Sequence, residues 1–400
     1  MPGHMISAVW KHDPTLDAPA KYRRACRYDA FVPDTLAGLK FSLDSSISGM
    51  VSEAEHAISA LNASARPALL PLARLLLRTE SIASSKVEGM QFGVRELARA
   101  EAKSESGIRV GSSALEVLAN VDAMELAVHD AALDDTFSLD DIRAIHARLM
   151  AHAPNPHTAG RLRTTQNWIG GNDYNPCDAD FIPPPPEMLD ALLADLCAAV
   201  NADLLPPLVQ AALVHAQFET IHPFDDGNGR TGRALVQVVL RRRGIASVYV
   251  PPISVALAVA RERYIAGLTS FRGDAIHQWI EYFAGVTTRA SRLAQWYLGA
   301  VGALQDDWRS MLAEAGAPRA GAAAWAVIDA LPAHPMVSAP VAVAATGRAK
   351  AAVYQALEQL ERAGVLMPVS TSRRNRVWEA RGLLELVERM ESGRASLPME

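Results

Sequence analysis

Apolar residues recur at helical spacing along most of this chain, and the few places where that period stops are the places where the composition changes. Between 46 and about 150 the clearest helical stretches are PALLPLARLLLRTESIASSKVEG, SALEVLANVDAMELAVHDAAL and DDTFSLDDIRAIHARLMAH. In the last of these Ser138 stands three residues before Asp141 and ahead of an apolar run, which is an N-cap signal. Residues 1–45 carry Pro14, Pro19, Pro33 and a basic cluster from Lys21 to Arg27, and read as an extended arm packed on the body. From 151 to 187 the helical period is absent. TTQNWIGGNDYNPCDADFIPPPP has the alternation, the paired glycines and the closing prolines of a β-hairpin over Thr164–Pro183, the only convincing one ahead of the C-terminal region. Helices are predicted again over Glu187–Val200, about Pro206–Ile221, Asn228 to about Arg243, and 255 to about 313.

AEAGAPRAGAAA, around 314–320, has the small, flexible composition of a linker. Beyond it the pattern predicts a helix over 321–331, a short element at 338–344, a helix from Arg348 to Ala363 with Gly364 as its C-cap, and two strands within VLMPVSTSRRNRVWEA. That order is that of a winged helix-turn-helix. The organisation expected is an arm (1–45), a helical region (46–136), a helical core (137–313) and a winged helix-turn-helix lobe (321–392), mainly α throughout, with no internal repeat.

Bulk composition narrows the partners. Half of the 400 residues are hydrophobic and 21% are charged, the net charge is −5 and the pI near 6.1. No global field therefore points at nucleic acid or an anionic membrane. No apolar run is long enough to span a bilayer, and the N-terminus lacks a signal-peptide pattern, so a cytoplasmic protein without membrane contact is expected. Cys26, Cys177 and Cys197 lack CxxC spacing, which argues against a disulfide framework or a zinc knuckle and for a reducing compartment. Cys177 then reads as incidental.

One stretch is out of keeping with its neighbours. HPFDDGNGRTGR, His222 to Arg233, is polar and glycine-rich between two apolar helices. Gly227, Gly229 and Gly232 satisfy G-x-G-x-x-G, but that fingerprint needs a preceding β-strand in a βαβ unit, and here a helix precedes it. Glycines at a helix entrance leave backbone N–H groups uncovered, and the helix dipole adds positive potential there, so an anion cradle suited to phosphate survives as the reading. Asn228 can add an amide donor and Arg230 lies one turn in. A carboxylate beside phosphate, Asp225 or Asp226, suits Mg²⁺. His222 can accept a hydroxyl proton, whereas His215 reads as a satisfied core histidine. Base, metal ligand and cradle together suit transfer of a phosphorus-centred group to a hydroxyl.

The stretch resembles the motif of the Fic (filamentation induced by cAMP) family, HPFx(D/E)GNGRxxR, at every specified position, and AIHARLM, GRLRTTQNWIGG with FIPPPP, and WIEYF resemble its flanking segments. The resemblance implies a Fic-type helical core with a β-hairpin flap, and transfer of AMP from ATP to a hydroxyl of a target protein or of the enzyme itself. His222 would be the base and Asp226 the Mg²⁺ ligand. Gly227, Asn228 and Gly229 would form the anion hole, Arg230 would bind a phosphate and Arg233 the γ-phosphate. Asp225 falls at the variable position. Removal of AMP, transfer of another nucleotide, and a DNA-binding regulator with a Fic sensor stay open as alternatives.

SSKVEG matches the family's inhibitory motif (S/T)xxxE(G/N) at Ser84, Glu88 and Gly89. Ser84 and Glu88 are four apart and share a helix face, with Gly89 as the helix stop. By the resemblance Glu88 pairs with Arg233 and displaces the γ-phosphate. The hairpin corresponds to the flap, with Trp168, Ile169 and Gly170 as the edge on which a target segment docks by β-augmentation. In the C-terminal lobe Arg373, Arg374 and Arg376 would form a wing able to meet a phosphate backbone, but the recognition helix has Lys350 and Arg362 against Glu358 and Glu361. Protein contact or dimerisation is favoured there over DNA.

Overall fold

The computed structural model describes residues 3–15, 17–37, 39, 42–65, 71–105, 109–369 and 376–391, so Arg373 and Arg374 lie outside the described residues. Among the described residues the strands are β1 (Gly3–Trp10), β2 (Cys26–Pro33), β3 (Met336–Ser338), β4 (Leu366–Pro368) and β5 (Val377–Ala380). The helices are α1 (Ser45–Ala63), α2 (Pro71–Val87), α3 (Val94–Glu105), α4 (Ser112–Leu126), α5 (Leu139–Leu149), α6 (Leu189–Asn201), α7 (Pro207–Ile221) and α8 (Asn228–Arg242). They continue as α9 (Ile253–Val259), α10 (Arg261–Arg272), α11 (Ile276–Glu314), α12 (Ala323–Ala330), α13 (Ala339–Thr346), α14 (Lys350–Arg362) and α15 (Leu383–Glu391). The protein is mainly α, as its periodicity predicts. The helical stretch expected over 255–313 is divided into three: Ala260 leaves helical geometry after α9, and Asp274, at φ 68°, turns the chain between α10 and α11.

Packing separates two units, one of Met1–Glu53, Glu125–Gly244 and Glu262–Gly285, the other of Ala54–Met124, Ile245–Arg261 and Val286–Glu400. The first is built on α7, in which every residue from Leu208 to Ile221 is buried. A helix buried on all sides must satisfy its polar groups internally. Gln210 donates to the carbonyls of Ala199, Val200 and Ala202. Gln217 donates to Asp34. His215 Nε2 lies 2.9 Å from the Tyr264 hydroxyl with Trp279 and Phe283 beside its ring, a core histidine as expected. At the start of α5 the Asp141 carboxylate accepts from both the backbone N–H and the hydroxyl of Ser138, the predicted N-terminal lock.

The arm departs from expectation. Instead of a plain extended segment it is an antiparallel hairpin, β1 on β2 in continuous register from Gly3↔Pro33 to Trp10↔Cys26. β-Branched and aromatic residues in both strands favour this pairing, and the prolines that suggested irregular chain fall in the connection and at the end of β2. The cysteine reading is overturned as well. Cys26 and Cys177 form a disulfide across 151 residues of sequence, and Cys197 is buried and free. Spacing along the chain carried no sign of it, because the fold brings the arm onto the flap. The argument from cysteine spacing for a reducing compartment does not stand. Among the described residues no helix is long and apolar enough to cross a membrane.

The flap itself forms where predicted, in minimal form. Ile169 and Phe181 are bridged antiparallel, and Gly170 and Gly171 turn the chain at φ 76° and 74°. A Cβ on Gly171 would come 2.4 Å from the Asp178 carbonyl oxygen, so the paired glycines are a steric requirement. The arm also backs the flap through the Phe31 N–H on the Ile182 carbonyl at 2.9 Å, Asn175 on the Tyr22 carbonyl at 2.7 Å, Tyr22 stacked on Tyr174, and Trp10 edge-on to Trp168.

In the second unit α12, α13, α14 and the sheet β3-β5-β4 form a winged-helix-like lobe, with Gly347 and Gly364 at positive φ ending α13 and α14. α15 follows it, an element the sequence reading did not separate. The core of this lobe is continuous with that of α2 and α3: Leu72, Leu75, Leu76, Val94 and Ala98 belong to one buried cluster with Val327, Leu357, Trp378 and Leu384. Polar ties follow the same path. Lys86 on α2 pairs with Glu391 on α15, and Arg95 on α3 bonds Glu379, Glu385 and Glu388. The Glu80 carboxylate accepts from the Ser254 N–H and hydroxyl, Asn120 donates to the Ser81 carbonyl, and Arg261 caps the carbonyl of Val87.

Thiol titration of the unfolded chain checks the disulfide: one reactive thiol is expected without reductant and three after reduction. Cys26→Ser is expected to lower the stability of the first unit by about 2–4 kcal/mol, measured by urea unfolding without reductant.

Candidate active site

α7 ends at His222 because the next residue is Pro223, which disfavours helical geometry in the residue before it. His222 takes the left-handed conformation, φ 50° and ψ 60°, with its N–H on the Phe218 carbonyl at 2.9 Å. Such a backbone in a residue other than glycine persists only where its surroundings impose it. Here they do. The His222 carbonyl accepts from Arg163 Nε at 2.9 Å and from Asn167 Nδ2 at 3.3 Å.

Asn228 closes the loop that follows. Its Oδ1 accepts from the Phe224 N–H at 2.9 Å and its Nδ2 donates to the Phe224 carbonyl at 2.8 Å. The side-chain amide thus acts as a loop clasp, using one of the two N–H groups on Nδ2. Phe224, fully buried, lies flat on the His146 ring with centroids 3.6 Å apart. Gly227 is the N-cap of α8 at φ 76°, and a Cβ there would meet Met150, Leu149 and His146 at 3.1–3.3 Å. The first intrahelical bond runs from the Thr231 N–H to the Gly227 carbonyl at 3.0 Å. The N–H groups of Asn228, Gly229 and Arg230 precede it, which is where a helix offers donors and positive potential to an anion.

Two charged groups frame that turn. Arg230 is only 6% exposed and lies 3.6 Å from Asp226 Oδ1, which also accepts the Gly227 N–H at 2.6 Å. Both contacts use one oxygen of a carboxylate that is 65% exposed. Asp225 is exposed too. Among the described residues no group of three or more His, Cys, Asp or Glu could hold a metal, so a divalent ion here would take Asp226 together with substrate oxygens and water, a donor set that suits Mg²⁺. Arg233, at 1% exposure, is one of the largest fully buried side chains. Gly232 explains how α7 and α8 approach so closely: a Cβ there would lie 2.6 Å from Glu219 Oε1 and 3.0 Å from Phe218. The third glycine of the apparent dinucleotide fingerprint is a helix-packing residue.

His146, missed as a site residue though its helix segment was noted, holds the floor of the loop. Its Nδ1 accepts the Gly160 N–H at 2.9 Å, so Nε2 carries the proton and donates to the Asp226 carbonyl at 3.0 Å. Burial, with Arg230 nearby, pulls the imidazole down to about 4 from its ordinary 6.5. Arg163 and Asn167 were missed in the same way, inside the quoted GRLRTTQNWIGG. Trp168, Ile169 and Gly170 lie on the flap as expected, with Trp168 Nε1 bonded to the Asn172 carbonyl. In the other unit Ser84 is buried in α2, while Glu88 follows the last helical residue and is exposed, with Gly89 at φ 85°. Of the proposed wing arginines, Arg376 pairs with Glu361 and stacks on Trp378, a role within the fold.

Residues 136–240 match the family model described as Fic/DOC family, and residues 49–129 match Fic/DOC family N-terminal. These two stretches are similar to Fic/DOC-family sequences. The chain is similar to Protein adenylyltransferase fic-1 of Caenorhabditis elegans, 31% identical over 176 residues, covering 43% of this chain and 31% of that protein. It is 34% identical over 158 residues to Protein adenylyltransferase Fic of Nematostella vectensis, covering 39% and 33%. The chain thus spans about a third of the length of these relatives. A crystal structure of a Fic family protein from Desulfovibrio desulfuricans G20 superposes with a TM-score of 0.52 at 20% identity, over 86% of this chain and 98% of that one, a likeness of fold. The Fic-like helical core, its hairpin and the C-terminal helix-and-sheet lobe follow from these matches and the architecture above.

Two outcomes test the loop's construction. The unfolded chain takes up the His146 proton at 6.5 and the folded one at about 4, so this part of stability is complete above pH 6.5 and declines as pH falls toward 4. The loss between pH 7 and pH 5, read by urea unfolding, should be about 2 kcal/mol smaller in His146→Asn than in the parent. Gly232→Ala should cost about 1–3 kcal/mol through overpacking of α7 on α8.

Proposed function

We propose that this protein is an adenylyltransferase, moving AMP from ATP to a hydroxyl side chain of a target protein and of itself, restrained by its own Glu88. The observation that carries the reading is the clasped loop from His222 to Arg233, a histidine at the end of one buried helix joined to the uncovered first-turn N–H groups of the next. The full match to the Fic motif and the similarity to adenylyltransferases support AMP as the group transferred.

In this reading the target hydroxyl loses its proton to the His222 imidazole as its oxygen attacks the α-phosphorus. The new oxygen–phosphorus bond forms while the α–β phosphoanhydride breaks and pyrophosphate leaves. The first-turn N–H groups of Asn228 and Gly229, with Arg230, hold phosphate oxygens, and Arg233 holds the γ-phosphate. Asp226 would hold Mg²⁺, which neutralises charge across the α- and β-phosphates when bound. The flap edge at Trp168–Gly170 aligns the target main chain. Glu88 restrains transfer by withdrawing Arg233 from the γ-phosphate, as the motif resemblance implies.

Incubation with labelled ATP and Mg²⁺ tests this directly. Glu88→Gly should incorporate more label than the parent chain, and adding His222→Ala should reduce incorporation by about a hundredfold or more. Equal labelling of parent and Glu88→Gly would remove the brake, and labelling that survives His222→Ala would remove the mechanism.

A further inference from the structure

Arg163 is 2% exposed, and its guanidinium donates to four main-chain carbonyls from three parts of the chain. Nε bonds His222 at 2.9 Å, Nη2 bonds Ile221 at 3.5 Å and Pro184 at 2.5 Å, and Nη1 bonds Thr165 at 3.1 Å. Its backbone N–H meets the Pro223 carbonyl at 3.0 Å. Ile221 and His222 end α7, Thr165 lies at the entrance of the flap and Pro184 at its exit. Asn167 adds bonds to the carbonyls of His222 and Phe224. A planar fork with donors at fixed angles can serve such a set, whereas an ammonium cannot.

We propose that Arg163 is a positioning residue for the transfer reaction: it imposes the left-handed backbone of His222, and with it the direction of the imidazole, and it fixes the same histidine to both roots of the flap. The inference rests on the reading above and adds a requirement that base and target platform share one register. Through Thr165 and Pro184 the flap that would align a hydroxyl is bonded to the side chain that holds the proton acceptor. Asn167 is the second clasp on the same carbonyl. Nothing in this role touches ATP, so nucleotide affinity should be indifferent to it.

The experiment uses the full chain carrying Glu88→Gly. Arg163→Lys and Arg163→Ala should each lower kcat about a hundredfold while the KM for ATP stays within about twofold, since a misplaced catalytic group costs turnover and not ground-state binding. Guanidinium salt at millimolar concentration should restore part of the kcat of Arg163→Ala and none of that of Arg163→Lys. Unchanged kcat in both variants, or a loss carried by KM without rescue, would overturn the proposal. Should the Arg163 variants not fold, Asn167→Ala decides: a lower kcat at unchanged KM supports it, and an unchanged kcat overturns it. A readout independent of the reaction separates this inference from the proposed activity. With ¹³C-labelled histidine, the His222 ring resonance, assigned by its loss in His222→Ala, should be single in the parent and split or broadened in Arg163→Lys. A single unshifted resonance there sinks the positioning role even where no AMP is transferred, and a split one sustains it.

Discussion

A helix that ends inside a protein leaves its last carbonyls where water does not reach them. α7 is such a helix, and the answer to that constraint organises everything around it. Four successive carbonyls, those of Ile221, His222, Pro223 and Phe224, are met in turn by Arg163, Asn167 and Asn228. The cost of a left-handed His222 is thereby offset by a set of buried bonds. The chain can then turn back within six residues and begin α8 with its donor-rich end beside the histidine.

The electrostatics of the loop follow from the same economy of buried groups. His146 could meet both the Gly160 N–H and the Asp226 carbonyl only as a neutral ring protonated on Nε2, and burial keeps it so. Arg163 is pushed down to about 10 by burial, with Asp225 and Glu187 opposing, so it remains a cation at neutral pH and its charge lies against the negative end of the α7 dipole. Arg272 does comparable work on the far side, bonding the Glu219 carbonyl while covering the Phe181 ring at the flap. The cations that hold the backbone are thus separate residues from those beside the cradle.

Local signals in the sequence were read well. The capped start of α5, the paired glycines of the flap, Gly89 and Gly364 as helix stops, and the polar loop between two apolar helices all depend on residues close together in the chain. What escaped depends on distance. The disulfide joins residues 151 apart, and neither cysteine carries a local sign of it. The arm hairpin packs on the flap, a contact between segments more than a hundred residues apart that local pattern does not register. The clasp that Asn228 makes on Phe224 was likewise invisible in its residue type. Arg163 sat in a quoted segment without a role, since four carbonyl partners from three segments become visible only when those segments meet. Gly232 satisfied a nucleotide fingerprint for a reason of packing alone.

The shared core of α2, α3 and the winged-helix-like lobe gives the chain's composition a different meaning near 314–320. Small residues there suggest a seam at which the C-terminal part could be detached. The buried cluster does not stop at that point: Trp308 and Leu312 on α11 lie within it, together with Leu75 on α2 and Leu384 on α15. A protease cutting at the flexible stretch would leave the two fragments associated, each holding half of the other's interior. The helix that carries Ser84 therefore owes its packing to residues at the opposite end of the sequence. A substitution in α15 would be felt first as looseness beside Ser84.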